Sequence, residues 1–372
     1  MKIVLIGNSD LCIYANRYEL ITRLLSEGHT VTVLSPYGKL IDELTKLGCD
    51  FYETKIERHG KNPFHDLKLL NRYRSILKKI KPQCVFTYTI KPNIYGAIAC
   101  RKFHIPCISN ITGLGIAIEN GGLLQKITAL LYKFAFKNIQ TVFFQNEDNM
   151  QFFINKKIAI GKGVLLPGSG VNLVKNFYVP YPSASKKCRF LFVGRLMRTK
   201  GFSEYVEAAK IISQEFIDVE FVAIGFCEPE YQNALSTLHA SKYIKMCGAV
   251  SNVHEHIANC HVVVLPSYHE GMANCLLEAA ATGRPVIATT VPGCRETFNE
   301  GISGFGVKPQ SVDSLVQAMR KFLFLSYEEK KNMGIYGRKK MEEEFDRNII
   351  VDAYLRELKK VQKCEEPNYV IV

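Results

Sequence analysis

Short apolar runs alternate with longer amphipathic segments along most of the chain. In the first half the runs are KIVLIG (2–7), TVTVLS (30–35), CVFTYT (84–89), IPCISNI (105–111), TVFFQN (141–146) and GVLLPG (163–168). Their length and bounding residues predict strands. Between them, residues 16–27, 39–48, 64–80, 93–103 and 121–137 repeat apolar positions at helical spacing. The pattern restarts with RFLFVG (189–194), EFVAIG (220–225), YIKMCG (243–248), VVVLPS (262–267) and PVIATT (285–290). Alternation of this kind predicts α/β architecture, with parallel sheets wrapped by helices.

At 372 residues the chain exceeds one ordinary core, so two domains are expected. The divisions predicted are a Rossmann-like domain over 1–178, a linker over 179–187 within the proline-, serine- and lysine-rich Tyr178–Lys187, and a second Rossmann-like domain over 188–345. A helix over 346–363 is expected to return to the first domain, ahead of a frayed tail at 364–372. Two doubly wound domains are expected to face each other across a cleft, with ligand at the carboxyl ends of the strands.

Composition narrows the class. No run of 18 or more apolar residues occurs, and Met1-Lys-Ile-Val-Leu-Ile6 is too short for a signal sequence, so a cytoplasmic protein is expected. Twelve cysteines are scattered singly with no CxxC pair, as reduced core thiols would be. Net charge is +13 and uneven: residues 1–180 hold 24 Lys+Arg and 12 Asp+Glu, hence +12, and the remaining 24 and 23 give +1. Such asymmetry concerns partners rather than fold: an anionic membrane, an anionic lipid-linked substrate or nucleic acid.

Chemistry concentrates in the second half. Gly194-Arg-Leu-Met-Arg-Thr-Lys-Gly201 follows a strand and precedes a helix, where free N–H groups and the helix dipole favour an anion. Arg195 can grip phosphate bidentately and Lys200 adds a point charge; the alternative is a solvated basic loop. After VVVLPSY comes HEGMANCLLEAAATG (269–283), with Glu270 on the loop and Glu278 one turn into a short helix that Asn274 can cap. A carboxylate within CLLEAAA is costly to bury unless something meets it. For Glu278 that is either a ligand or a pair with Arg284 or a nearby lysine. DxD, GxSxG, P-loop and HExxH patterns are absent, so no metal site and no cofactor are expected.

GRLMRTKG and LPSYHEGMANCLLEAAATGRPVIATTVPG resemble the signature of retaining GT-B glycosyltransferases of family GT4, including its E-x7-E pair. TYTIKPNIYGAIA (87–99) and SNITGLG (109–115) are similar to bacterial transferases that build capsule, O-antigen or N-glycan precursors on undecaprenyl diphosphate, N-acetylgalactosaminyltransferases among them. The resemblance spans nearly the whole chain and implies a GT-B fold. It implies that Arg195 and Lys200, after Gly194, hold a donor diphosphate. Glu270 with the backbone of Gly271 and Met272 would bind sugar hydroxyls, Glu278 the ribose hydroxyls, and the turn Gly248–Val250 the uracil. One departure is Asn172 in GSGVN, where many members carry Asp.

The first half is expected to bind a polyprenyl-diphosphate-linked acceptor. Arg17, Arg58 and Lys91 lie near predicted strand ends and could meet its diphosphate, and His59 could meet its hydroxyl. Residues 113–137 mix apolar side chains with Lys126, Lys133 and Lys137, suiting either the anionic inner face of the cytoplasmic membrane or packing on the domain's own sheet. The expected function is transfer of a sugar, an N-acetylhexosamine such as GalNAc, from a UDP-sugar. The alternatives are a UDP-sugar 2-epimerase, which would need no basic first half, and a nucleic-acid-binding protein, which lacks any matching motif.

Overall fold

The computed structural model describes residues 1–57, 62–114, 122–184, 187–228, 231–233 and 240–365. Two compact units emerge: unit 1 is Met1–Ser169 with Asn348–Val372, and unit 2 is Gly170–Arg347.

Unit 1 is built on seven parallel strands: β1 Lys2–Ile6, β2 Thr30–Ser35, β3 Asp50–Glu53, β4 Cys84–Tyr88, β5 Cys107–Ile111, β6 Thr141–Phe144 and β7 Gly163–Leu165. Their order is β3-β2-β1-β4-β5-β6-β7, with Val4 level with Thr32 on one side and Val85 on the other. Side chains of β1 alternate between two cores, Ile3 and Leu5 in one, Val4 and Ile6 in the other. Both faces are therefore covered, which is why these strands read as near-continuous apolar runs. The C-terminal residues close one face. Tyr354 packs its ring 4.6 Å from Phe143 and 5.1 Å from Phe86, and its hydroxyl accepts from Asn110 at 2.9 Å.

Unit 2 repeats the plan with β8 Cys188–Val193, β9 Val219–Ile224, β10 Ile244–Met246, β11 Val262–Leu265, β12 Val286–Thr289 and β13 Gly304–Val307, in the order β10-β9-β8-β11-β12-β13. In both sheets chain order reverses between two central strands, β1 and β4 in one, β8 and β11 in the other. Loops after such strands part to opposite faces and leave a crevice at their carboxyl ends.

One expected boundary shifts and two strands are added. The break between units falls at Ser169–Gly170 rather than 178, because the segment read as linker is fastened to unit 2. The buried Arg284 guanidinium donates to the carbonyls of Val179 (2.8 Å), Pro180 (3.0 Å) and Ala258 (2.6 Å), and Tyr181 Oη donates to the carbonyl of His261 (3.0 Å). The helix expected over 346–363 runs Arg347–Glu365 and is preceded by a separate helix, Tyr327–Glu344. Between them Phe345 O accepts from the Val171 N–H and Val171 O from the Arg347 N–H. Strands β3 (DFYE) and β13 (GFGV) lacked a strand signal, one being a half-exposed charged edge and the other half glycine. Residues 366–372 of the expected tail lie outside the described residues.

Candidate donor site in unit 2

The loop after β8 runs from Gly194 through a 3-10 turn at Arg198–Lys200 into the helix Phe202–Glu215. Gly201 sits between them at φ +71°, and a Cβ there would overlap the carbonyl of Pro266. That contact draws the loop onto the segment following β11, where the Tyr268 N–H donates to Thr199 O at 2.9 Å and Ser267 Oγ to the same oxygen at 3.2 Å. The two loops at the β8/β11 switch point are thus joined to each other. Gly201→Ala is expected to lower stability by about 2–4 kcal/mol, from left-handed strain plus the steric conflict. Thermal unfolding checks this, and an unchanged midpoint would show that the loops adjust independently.

Glu270 stands on the loop after β11, and its Oε1 accepts from Lys200 Nζ at 2.5 Å, the two side chains only 11% and 21% exposed. Burial alone would lower the Lys200 pKa, but the attraction of Glu270 and its hydrogen bond outweigh that and raise it. Lys200 is therefore a fixed cation. Backbone geometry here depends on a third loop: Ala273 N–H donates to Gly293 O at 2.8 Å, and a Cβ on Gly293 would strike the Glu270 carbonyl. Gly271 follows Glu270 directly, and the Met272 side chain is buried with Val171, Leu277 and Phe345.

Glu278 lies in the helix Asn274–Ala281 among buried Leu276, Leu277, Ala279 and Ala280. Asn274 opens this helix instead of capping it; the cap position is Ala273, without a side-chain hydrogen bond. Arg284 is committed to backbone carbonyls, so the anticipated Glu278–Arg284 pair does not form. Among the described residues no hydrogen bond or ion pair reaches the Glu278 carboxylate. Desolvation raises its pKa, only partly opposed by Lys175 and Arg347. The residue is partly exposed, so its carboxylate is open to an incoming hydrogen-bond donor.

Arg195 is held by Glu228, Nη1 to Oε1 at 2.8 Å, half-exposed at the mouth of the site. Gly248, at φ +69° with open space where a Cβ would stand, follows β10, and its carbonyl accepts from the Gly225 N–H at 2.8 Å. Val250 packs on the unit 2 core. Loops after β10, β9, β8 and β11 therefore lie side by side at the carboxyl ends of the strands. The sequence had not singled out Glu228. Its signal is position, since it follows the Gly225 turn of β9 as Arg195 follows Gly194 of β8.

The first-half candidates fare differently. Arg17 is only 2% exposed, its guanidinium 4.5 Å above the Tyr88 ring and 5.8 Å from that of Tyr354. It faces inward from the helix Asp10–Ser26 and is not presented to a diphosphate, so that expectation is corrected. Lys91 is mostly buried and pairs with Asp66 at 2.7 Å. Arg58 and His59 lie outside the described residues, as do residues 115–121 of the amphipathic segment. Within the rest of that segment lies the helix Gly122–Ala135, which has one packed and one exposed face. Thr128, Ala129, Tyr132 and Ala135 pack inward, while Leu123, Leu130 and Phe134 are 74%, 66% and 48% exposed beside Lys126 and Lys133.

Residues 2–146 match the family described as Glycosyl transferase 4-like, and residues 177–340 the family Glycosyl transferases group 1. The chain is 27% identical to the N,N'-diacetylbacillosaminyl-diphospho-undecaprenol alpha-1,3-N-acetylgalactosaminyltransferase of Campylobacter jejuni, covering 98% of this chain and 100% of the relative. It is 28% identical to the UDP-Gal:alpha-D-GlcNAc-diphosphoundecaprenol alpha-1,3-galactosyltransferase of Escherichia coli, over 68% and 70%. Among solved structures, sucrose-phosphate synthase of Thermosynechococcus elongatus superposes with a TM-score of 0.81 at 18% identity, covering 98% of this chain and all of that one. Anabaena HepE in complex with UDP-glucose gives 0.79 at 17%, covering 97% and 100%. At these identities the structures speak to the fold alone, which is GT-B.

Proposed function

The chain belongs to the glycosyl transferases, a 4-like domain followed by a group 1 domain, and from that premise we propose that it moves a sugar from a UDP-sugar to a polyprenyl-diphosphate-linked saccharide with retention at the anomeric carbon. The observation that carries the donor assignment is the row Arg195, Lys200, Glu270 and Glu278 around one switch point, fixed cations beside an unpartnered carboxylate. A UDP-sugar has matching chemistry: diphosphate for the cations, sugar hydroxyls for Glu270 and ribose hydroxyls for Glu278. The relatives from Campylobacter and Escherichia, both named as transferases acting on undecaprenyl-linked diphosphates, support the acceptor class and favour transfer over epimerisation.

The chemistry asks little of side-chain acids and bases. The C1–O bond to UDP breaks, an acceptor hydroxyl bonds C1 from the same face, and its proton passes to the departing diphosphate oxygen. Charge grows on the diphosphate through this step, so preorganised cations stabilise the transition state more than the ground state. Lys200 begins bonded to Glu270. Donor binding offers it a second anion, while Glu270 can bond to sugar hydroxyls in compensation. On this reading transfer needs no metal, the cations and the loop N–H groups supplying the positive charge.

A panel of UDP-sugars, each with and without a short polyprenyl-diphosphate-linked acceptor and with chelator present, tests the proposal. UDP release with one donor, strongly stimulated by acceptor, is expected. Epimerised donor appearing without acceptor, or no turnover of any UDP-sugar, would overturn it.

We also propose that unit 1 sits at a membrane surface through the helix Gly122–Ala135. No described helix is long and apolar enough to cross a membrane, but Leu123, Leu124, Ile127, Leu130 and Phe134 are exposed along this one, flanked by exposed Lys126, Lys133 and Lys137. Each lysine near an anionic surface contributes about 1 kcal/mol, screened by salt. Flotation with phosphatidylglycerol-containing liposomes should recover the protein at low salt and lose most of it at high salt. Leu130→Glu with Phe134→Glu should abolish recovery at both; undiminished flotation of that variant would assign the contact elsewhere.

A further inference from the structure

The two segments that carry Lys200 and Glu270 are joined a second time, away from those charges. One helical turn past Lys200 and two residues before Glu270, Tyr268 Oη donates to Glu204 Oε1 at 2.5 Å. Glu204 lies in the first turn of the helix Phe202–Glu215, where the dipole favours a carboxylate. Backbone contacts seat the phenol's own segment: the Tyr268 N–H donates to Thr199 O at 2.9 Å, and Ser267 O accepts from Thr289 Oγ1 at 2.5 Å. Burial and the bond to Glu204 push the Tyr268 phenol up to about 12, against the pull of the nearby Arg198 guanidinium. The hydroxyl therefore keeps its proton and remains a donor.

Stability alone does not account for this contact. The second Glu204 oxygen is enclosed and has no hydrogen-bond partner among the described residues, which costs stability. A cost of that kind is expected where function constrains a residue. What the bond supplies is geometric. A lysine stem is flexible, so the Lys200–Glu270 pair cannot by itself fix where the ammonium stands. A second link between the same helix start and the same loop stops the two segments from sliding past each other. It thereby holds the ammonium and the carboxylate at their 2.5 Å separation.

We propose that Glu204 and Tyr268 are positioning residues of the donor site, their hydrogen bond setting where Lys200 and Glu270 stand. The inference rests on the proposed donor assignment in one respect, that Lys200 meets the diphosphate of UDP.

Two measurements on the full chain test it. Ligand-free hydrogen exchange, read by mass spectrometry, should quicken about five-fold or more across residues 195–200 and 267–273 in Tyr268→Phe and Glu204→Ala, with β12 unchanged. Glu204→Gln keeps an acceptor oxygen for the phenol and should exchange as the wild type does. Calorimetry then asks whether the effect passes through Lys200. Tyr268→Phe should weaken UDP binding about five-fold in the wild-type background and not measurably in Lys200→Ala. Unquickened exchange, Glu204→Gln as disruptive as Glu204→Ala, no UDP loss in the wild-type background, or an equal loss in both backgrounds would each overturn the proposal. The β12 peptides report whether a variant is folded, and the two Glu204 variants carry the comparison should Tyr268→Phe unfold. A wild-type protein that binds no UDP would count against the donor site instead, leaving the exchange results to decide whether the link holds the two segments.

Discussion

Replacing Lys200 with alanine is expected to lower kcat/KM for the nucleotide sugar about 100–1000-fold, the usual cost of removing one charged donor aimed at developing negative charge. Two effects add. The diphosphate loses the cation that neutralises it as the bond breaks, and Glu270 loses its 2.5 Å partner while remaining largely enclosed. An uncompensated, largely buried carboxylate beside a diphosphate then opposes donor binding as well. Arg195→Ala should be milder, since Arg195 is more exposed, its side chain 47% accessible, and is shared with Glu228. Steady-state kinetics on both variants, with calorimetric UDP affinities, measure the difference. Equal and small losses would place the diphosphate elsewhere.

Glu278→Gln should have opposite effects on stability and on binding. A carboxylate that accepts two ribose hydroxyls contributes about 3 kcal/mol, so UDP affinity should fall roughly 100-fold. The ligand-free protein should become more stable. Desolvation raises the Glu278 pKa above the ordinary carboxylate value of 4.5, meaning that the folded state holds its proton more tightly than the unfolded chain. Its contribution to stability is therefore present below that ordinary value and is lost as pH rises through the raised one. At neutral pH the ionised group is a liability that glutamine removes. Unfolding midpoints from pH 4.5 to 8, for wild type and variant without ligand, should diverge as pH rises, the wild type falling behind. Parallel curves would mean that Lys175 and Arg347 already satisfy the carboxylate.

Much of this was legible in the sequence because buried parallel strands write themselves as apolar runs, and because glycine marks where loops touch. RFLFVG followed by GRLMRTKG, and VVVLPSY followed by HEG, pointed to two loops at strand ends. The β8/β11 neighbourhood then joins them, with Gly201 against Pro266. What could not be read were choices among partners distant in sequence. Glu278 had several candidate partners, and the structure uses Arg284 to bind the carbonyls of 179 and 180, leaving the carboxylate only the attraction of Lys175 and Arg347. Lys200 and Glu270, 70 residues apart, were assigned separate tasks, yet they are bonded to each other. Arg17 lies one helix after β1, where a cation could meet a ligand, but helix phase turns it onto Tyr88 and Tyr354. Periodicity names the inward face of a helix and does not say that an arginine on it will lie over a tyrosine ring. The same limit applied to β3 and β13, whose pairing comes from their neighbours and not from their own composition.

The most direct test of the central claim is the mass and anomeric configuration of the lipid-linked product formed from a UDP-sugar and a polyprenyl-diphosphate-linked acceptor. One added sugar residue per UDP released, with the new linkage in the anomeric configuration of the donor, is the predicted result. UDP released without a gain in acceptor mass, or a product of inverted configuration, would contradict it.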